Sequence, residues 1–310
     1  MKTVILGPDQ IEEAASLLRE GQPVAMPTET VYGLAAPIFA VATVEKIFSL
    51  KKRPADNPLI AHISDLSMLD RIAEELPARF RRLIDRFWPG PLTIVLRKKA
   101  GVPSIVSAGQ ETIAVRMPSH LIALKLIAAV GEPLVAPSAN LSGKPSPTCA
   151  EHVLEDFEGA VAAVLDGGEC AFGIESTVLS LVGEAPAILR PGSIAAREIE
   201  DLLEMKLGAV SGGPILSPGM KYRHYAPKGV VRIVASEAEV AGPFVLSREP
   251  VGIHPFRRLE AKSLYRHLRE ADAGGVEEIF VLLDSVSAFD DALMNRLQKA
   301  AELDKVIEYA

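Results

Sequence analysis

Between Met1 and about Ile199 the chain returns again and again to short apolar runs, "PVAMP", "LTIVLRK", "TIAVRMP", "PLVAPS", "AVLDGG" and "STVLSL", separated by stretches with apolar residues at helical spacing. This alternation constrains the fold more than any other feature. Runs of four to eight apolar residues bounded by Gly, Pro, Ser or Asp read as strands, and several are apolar enough to be buried on both faces. Helices are expected over "TVEKIFSLKK", "PARFRRLIDRFW" and "HLIALKLIAAVG". "QIEEAASLLREG" places Ile11, Ala14, Ala15 and Leu18 on one face and stops at Gly21. The expectation is a strand-rich α/β domain of about 200 residues.

At 310 residues the chain exceeds the size at which one core stops growing, so a second domain is expected. "GAVSGGPILSPGM" marks the boundary by its Gly/Pro density. Beyond Lys228, "GVVRIVAS", "PFVLS" and "EEIFVLLDSV" read as strands, with helix-like "SLYRHLREADAG" and "DDALMNRLQKAAEL" between and after them. That order predicts a small, mostly parallel α/β unit. The resulting division is 1–207, a linker at 208–228, and 229–310. The linker is odd in composition, because Lys221, Tyr222, Arg223, His224 and Tyr225 follow one another where solvated tethers carry Gly, Ser and Pro.

A net charge of -7 argues against a general polyanion-binding surface, so any anion site must be local. Cys149 and Cys170 are too few for a zinc cluster and read as reduced and inert. The first residues turn polar too early for a secretory signal and no apolar run approaches membrane-spanning length, so a soluble cytoplasmic protein is expected. There is no G-x-G-x-x-G, G-x-x-x-x-G-K-[ST], G-x-S-x-G or H-E-x-x-H. Phosphate, if handled, is handled by a different device.

Polar residues gather at strand ends and turns, where α/β proteins build ligand sites. "MPTETVYGLAA" offers Thr28, Glu29 and Thr30. "SLKKRPADNPLIAHIS" offers Lys51, Arg53, Asn57 and His62, with Lys52 read as a helix C-terminal charge. Arg116, in apolar "AVRMPSH" with Thr112 four residues earlier, requires an anion, either a ligand or a structural carboxylate. "APSANLSGKPSPT" brings Ser138, Asn140, Ser142, Lys144, Ser146 and Thr148 into one Gly/Pro-shaped loop able to line a phosphate or ribose. "GIESTVLSL" adds Glu175, Ser176 and Thr177, and "ILRPGSI" adds Arg190, with Ser193 read as a cap or turn residue. Lys51, Arg53, Arg116 and Arg190 suit transfer at phosphorus. His62 could contact an amino-acid substrate or exchange protons, or be a satisfied polar residue at a strand end.

Taken in order, "PTETVYGL", "KKRPADNPL", "WPGPLTIVL", "AVRMP", "PSANLSGKPSPT", "ESTV", "LRPG" and "SPGMKYRHYAP" resemble the long, two-domain form of the Sua5/YrdC family of threonylcarbamoyl-AMP synthases, over essentially residues 3–310. The resemblance implies a YrdC-like twisted α/β domain with a concave cavity and a small Rossmann-like C-terminal domain. It implies a nucleotidyltransferase that joins L-threonine, bicarbonate and ATP into threonylcarbamoyl-AMP and pyrophosphate for t6A at position 37 of tRNA, with Mg2+ accompanying ATP and metal ligands unassigned. A downstream transferase would receive the product, and direct tRNA binding would be weak or absent. Residue by residue, it puts catalysis on Lys51 and Arg53 and threonine against Thr30, His62, Arg116 and Ser176. ATP is put against Arg53, Asn57, Thr112, Ser138, Asn140, Ser146 and Arg190. The linker, Tyr225 included, would fold over the nucleotide and exclude water.

The sequence also departs from the family pattern. "SAFDD" stands in the C-terminal unit where a Gly-rich turn is expected. Two rivals remain: a double-stranded RNA or tRNA-binding module without catalysis, which the charge disfavours, and a hydrogenase-maturation type carbamoyltransferase, whose Cys-rich zinc modules two cysteines cannot build.

Overall fold

The computed structural model describes residues 2–183, 185–208, 224–252 and 254–301. Among these, the first domain is built on a mixed sheet of ten strands: β1 (Val4–Leu6), β2 (Val24–Met26), β3 (Gly33–Pro37), β4 (Ile60–His62), β5 (Leu92–Arg97), β6 (Thr112–Arg116), β7 (Leu134–Val135), β8 (Ala163–Leu165), β9 (Thr177–Ser180) and β10 (Ala187–Arg190). Their spatial order is β1-β8-β2-β3-β7-β4-β6-β5-β9-β10. The central strands β2, β3, β4, β7, β8 and β9 are buried along their whole length. Two-sided burial of this kind is why the corresponding runs read as continuously apolar rather than alternating.

All six runs expected to be strands form strands here. β1, β3, β4 and β10 were not expected; most are short, and three residues carry too little periodicity to be read. Helices also form over Leu66–Ile72, Ala150–Phe157 and Ala196–Leu203, beyond those expected. The first of these starts at Asp65, whose carboxylate accepts the Ser67 and Met68 backbone N–H groups.

The second sheet is fully parallel: β11 (Val230–Val234), β12 (Val245–Ser247), β13 (Phe256–Arg258) and β14 (Glu278–Leu282), in the order β11-β14-β12-β13. This matches the expected parallel unit, with β13 added. "SAFDD" does not form a Gly-type turn. It closes a short helix, Ser285–Ala288, capped by Asp284, and Asp290 then caps the Asp291–Ala301 helix through the Leu293 N–H at 2.9 Å.

The domains share apolar surface. Val31 and Ile174 of the first domain pack into one buried cluster with Tyr225 and with Leu264, Tyr265, Leu268 and Leu297 of the second. Gly173 shows how close the approach is. Its φ is +69°, and a Cβ there would sit 2.1 Å from the Lys262 carbonyl oxygen, so only glycine fits.

Candidate active site

The site lies where the ends of β4, β6 and β9 meet the loops after β2 and β7. Parallel pairing puts His62 directly beside Arg116 at the strand ends. Thr28 shapes the preceding turn, its hydroxyl oxygen accepting the Thr30 and Val31 backbone N–H groups at 3.1 and 3.2 Å. The turn holds Thr30 Oγ1 2.8 Å from Arg116 Nη1, and Arg116 Nε donates to the Gly90 carbonyl at 3.1 Å.

The anion that Arg116 requires is present in the protein. Glu29 Oε1 lies 2.5 Å from Arg116 Nη2, off the axis of a hydrogen bond, with both side chains buried. Burial pushes the Glu29 carboxyl up, but Arg116 and the surrounding hydrogen bonds outweigh it and hold the group below its usual range. Of the two partners left open by the sequence, the structural carboxylate is present, and it leaves Arg116 able to meet a ligand as well. Two of the five guanidinium N–H groups remain for a ligand beyond these three contacts.

A narrow cleft opens above this pair, lined by Thr28, Thr30, His62, Arg116, Ser176 and Arg190. Ser176 Oγ is 2.7 Å from Thr93 Oγ1, and Arg190 donates to the Ser176 carbonyl and hydroxyl oxygens at 3.1 and 3.2 Å. Gly192 allows this approach, because a Cβ there would lie 2.3 Å from the Thr177 backbone nitrogen. His62 donates to or accepts nothing charged; its Nδ1 is 3.2 Å from the Ile60 carbonyl. Burial, with Arg116 adding to it, pushes its pKa down to about 3. His62 is therefore a neutral imidazole at ordinary pH and serves as a polar contact, not as a proton store.

Beside the cleft lies a second polar group. Lys51 ends its helix, Val41–Lys51, with its ammonium buried and donating to the Ser138 and Asn140 carbonyl oxygens, each at 2.5 Å. Burial, then Arg53, lowers its pKa. With two of three N–H groups spent on the loop, Lys51 shapes the loop first and can offer one donor to a ligand. Arg53 donates to the Asn57 and Pro58 carbonyl oxygens at 3.2 and 2.8 Å, and burial lowers its pKa to about 10.

Asn140 ties the loop internally by donating to Leu141 and Lys144 carbonyls at 2.8 and 2.9 Å. The side-chain oxygens of Asn57 and Asn140 are buried with no hydrogen-bond partner among the described residues. Such acceptors are costly unless a ligand donates to them. Ser146, fully buried, donates to Glu175 at 2.6 Å. Thr112 stands apart from the cleft, at the far end of β6 from Arg116, two residues before the Ala114 that pairs with Ile60.

The linker enters this region at His224. Tyr222 and Arg223 lie outside the described residues. His224 is half-buried near Arg53, and desolvation followed by Arg53 pushes its pKa down to about 3. Tyr225 takes a left-handed backbone, φ 65°, is buried, and stacks on Tyr265 at 5.3 Å. Ala226 N–H donates to the Gly143 carbonyl at 2.8 Å, fastening the linker to the loop after β7. Tyr225 thus abuts the arginine cluster, but one ring face is already committed to Tyr265.

Sequence reasoning offered Glu29 and Glu175 among the polar residues at strand ends without giving either a role, and missed Tyr265, Arg269 and Arg296 altogether. The last two carried a signal. Both arginines fall on otherwise apolar helical faces: Ala292, Leu293, Leu297 and Ala300 flank Arg296, while Tyr265 and Leu268 flank Arg269. A cation in a core stripe requires a buried partner. Cys149 and Cys170 are free, with burial raising both thiols, so neither is a nucleophile here.

This fold and cleft define a class: an α/β domain with a buried, arginine-rich site and a smaller domain closed against it. A family model described as telomere recombination, covering Sua5, YciO and YrdC proteins, matches residues 16–192, and one described as the threonylcarbamoyl-AMP synthase C-terminal domain matches 194–250 and 257–302. The threonylcarbamoyl-AMP synthase of Pyrococcus abyssi is 42% identical, across 97% of this chain and 98% of its own. That of Bacillus subtilis is 43% identical, across 94% and 93%. The crystal structure of P. abyssi Sua5 complexed with L-threonine superposes with a TM-score of 0.88 at 41% identity, covering 96% of this chain and 98% of that one. The chain belongs to the Sua5/YrdC family of threonylcarbamoyl-AMP synthases, in its two-domain form.

Proposed function

We propose that this protein condenses L-threonine, bicarbonate and ATP into threonylcarbamoyl-AMP, pyrophosphate and water. The observation that carries the reading is the narrow cleft that sets two buried guanidiniums, Arg116 and Arg190, among the hydroxyls of Thr28, Thr30 and Ser176. A small amino acid with a carboxylate and a hydroxyl is complementary to that set. Threonine's carboxylate takes the two remaining Arg116 N–H groups, and its hydroxyl meets Thr30 or Ser176. His62, neutral and walled by β6 and β7, limits the side chain to a small one.

The amine adds to bicarbonate with loss of water, giving a carbamate. A carbamate oxygen then attacks the α-phosphorus of ATP, and pyrophosphate leaves. The protein's part is positioning and charge: Arg53, Arg190 and the one available Lys51 donor face the phosphates, while Asn57 and Asn140 accept from the nucleotide. Mg2+ would accompany ATP and supply neutralisation of charge on its phosphates. Glu29 and Glu175, the carboxylates nearest the cleft, are each committed to an arginine. As a nucleotidyltransferase supplying t6A synthesis the protein works in the cytoplasm and hands its product to a transferase. No helix among the described residues is long and apolar enough to cross a membrane. The basic groups of the site are buried, whereas an RNA surface presents them outward, so tRNA binding is not its task.

The test is pyrophosphate release with ATP, Mg2+, bicarbonate and a panel of amino acids. Release that requires threonine and bicarbonate together supports the reading, and release that needs neither refutes it.

A further inference from the structure

The second domain reaches into the site. Arg296, with no solvent exposure, donates from Nε to Glu175 Oε2 at 2.9 Å, from Nη2 to the Glu175 carbonyl at 3.4 Å, and from Nη1 to the Pro191 carbonyl at 2.8 Å. Tyr265 donates its hydroxyl to the same carboxylate oxygen at 2.8 Å. Glu175 precedes Ser176 and receives Ser146 on its other oxygen; Pro191 follows Arg190. One helix of the second domain therefore grips both segments that carry the cleft's far wall. A second contact reinforces it, since Arg269 bonds to Asp156 at 2.8 Å and to the Pro145 carbonyl at 2.7 Å, and Asp156 also pairs with Lys144.

Cohesion between the domains does not account for an arginine at this position. The helix around it is apolar, and a buried ion pair is commonly no more stabilising than hydrophobic residues of the same volume. What the pair supplies is a fixed direction for the Glu175 carboxylate.

We propose that the second domain completes the active site through two positioning residues, Arg296 and Tyr265, which hold Glu175 so that Ser146 and Arg190 face the nucleotide, and Ser176 the threonine, in a single arrangement. This rests on the reading under which Arg190 and its neighbours meet ATP beside the threonine cleft. Without Arg296, the groups still facing Glu175 are Arg190, Tyr225, Tyr265, His224 and Ser146. The carboxylate would then draw Arg190 away from Ser176, and would take up a proton at higher pH than before. Burial already favours the protonated form, opposed mainly by Arg296 and then Arg190.

The experiment uses the full chain with Arg296→Leu, Tyr265→Phe, Glu175→Gln and the Arg296→Leu/Glu175→Gln pair. ATP affinity is read by calorimetry, kcat and KM for ATP across pH, and Tm alongside. The expected result for Arg296→Leu is an ATP KM raised about thirtyfold, with an acid limb in the pH profile that the double variant lacks. Tyr265→Phe, which loses one hydroxyl and keeps its packing, raises KM about fivefold and keeps the inference testable if Arg296→Leu fails to fold. Wild-type ATP affinity and pH profile in Tyr265→Phe and in any folded Arg296→Leu, whatever the Tm, overturns the inference. Calorimetry separates the two readings: a wild-type protein that binds ATP but makes no adenylate sinks the proposed function, while the variants' ATP affinities still judge the clamp.

Discussion

Arginines on the two sides of the second domain behave differently. On its inner side Arg269 and Arg296 are buried, like Arg116 and Arg190 across the boundary, and each meets a carboxylate or carbonyl oxygens in the interior. On its outer side Arg232, Arg248 and Arg258 pair with Glu278, Asp284 and Glu260 in the open, with side chains 37% to 66% exposed. The chemistry is the same and the consequence is not. An exposed pair is worth about 0–1 kcal/mol and is free to reorganise. A buried pair costs desolvation and survives only in a fixed geometry. Buried charge therefore outlines the working part of this molecule, and the outline crosses the domain boundary without extending to the outer edge of the second sheet.

The comparison is broken most forcefully at Arg116. Arg116→Ala leaves Glu29 buried without its cation, and the expected cost is about 3–5 kcal/mol of stability with loss of threonine-dependent pyrophosphate release. Unfolding in urea and the release assay would both show it. Lys51→Met frees the Ser138 and Asn140 carbonyls, and with them the loop; turnover should fall about a hundredfold while threonine affinity, measured by calorimetry, changes little. Tyr225→Ala removes a ring packed on Tyr265 and should raise the ATP KM about tenfold or let the adenylate hydrolyse, seen as free AMP in the products; unchanged kinetics would remove the linker from the site. At the small end, Arg248→Ala should shift stability by less than about 1 kcal/mol and leave turnover untouched.

Acid sharpens the same contrast. His62 and His224 are held down to about 3, chiefly by burial, against an ordinary 6.5. The unfolded chain takes up protons on these rings below 6.5, and the folded one does not until about 3. Stability is thus full above 6.5 and declines as pH falls through that window. His62→Gln should flatten the decline in a urea titration repeated at several pH values. An identical slope would mean that the ring is not held neutral.

Much of this was legible in the sequence, for stated reasons. Long apolar runs such as Leu92–Arg97 and Thr112–Arg116 announce themselves, whereas Val4–Leu6 and Ile60–His62 are too short to show a period. Arg116 could be recognised as needing an anion, but Glu29 as that anion could not, because only the sheet order brings the loop after β2 to the end of β6. Arg53, Asn140, Ser146 and Arg190 could be named by resemblance. Their dependence on Glu175, and of Glu175 on Arg296, belongs to the packing of one domain on the other. Arg296 was nonetheless readable as a cation in an apolar stripe, a pattern that points to a distant carboxylate even when its identity is hidden.

The most direct test of the account is the fate of bicarbonate carbon. Incubating the protein with threonine, ATP, Mg2+ and carbon-13 bicarbonate, and weighing the adenylate by mass spectrometry, should give a product that carries the label between threonine and AMP. An unlabelled threonyl adenylate, or pyrophosphate release with no adenylate at all, would contradict it.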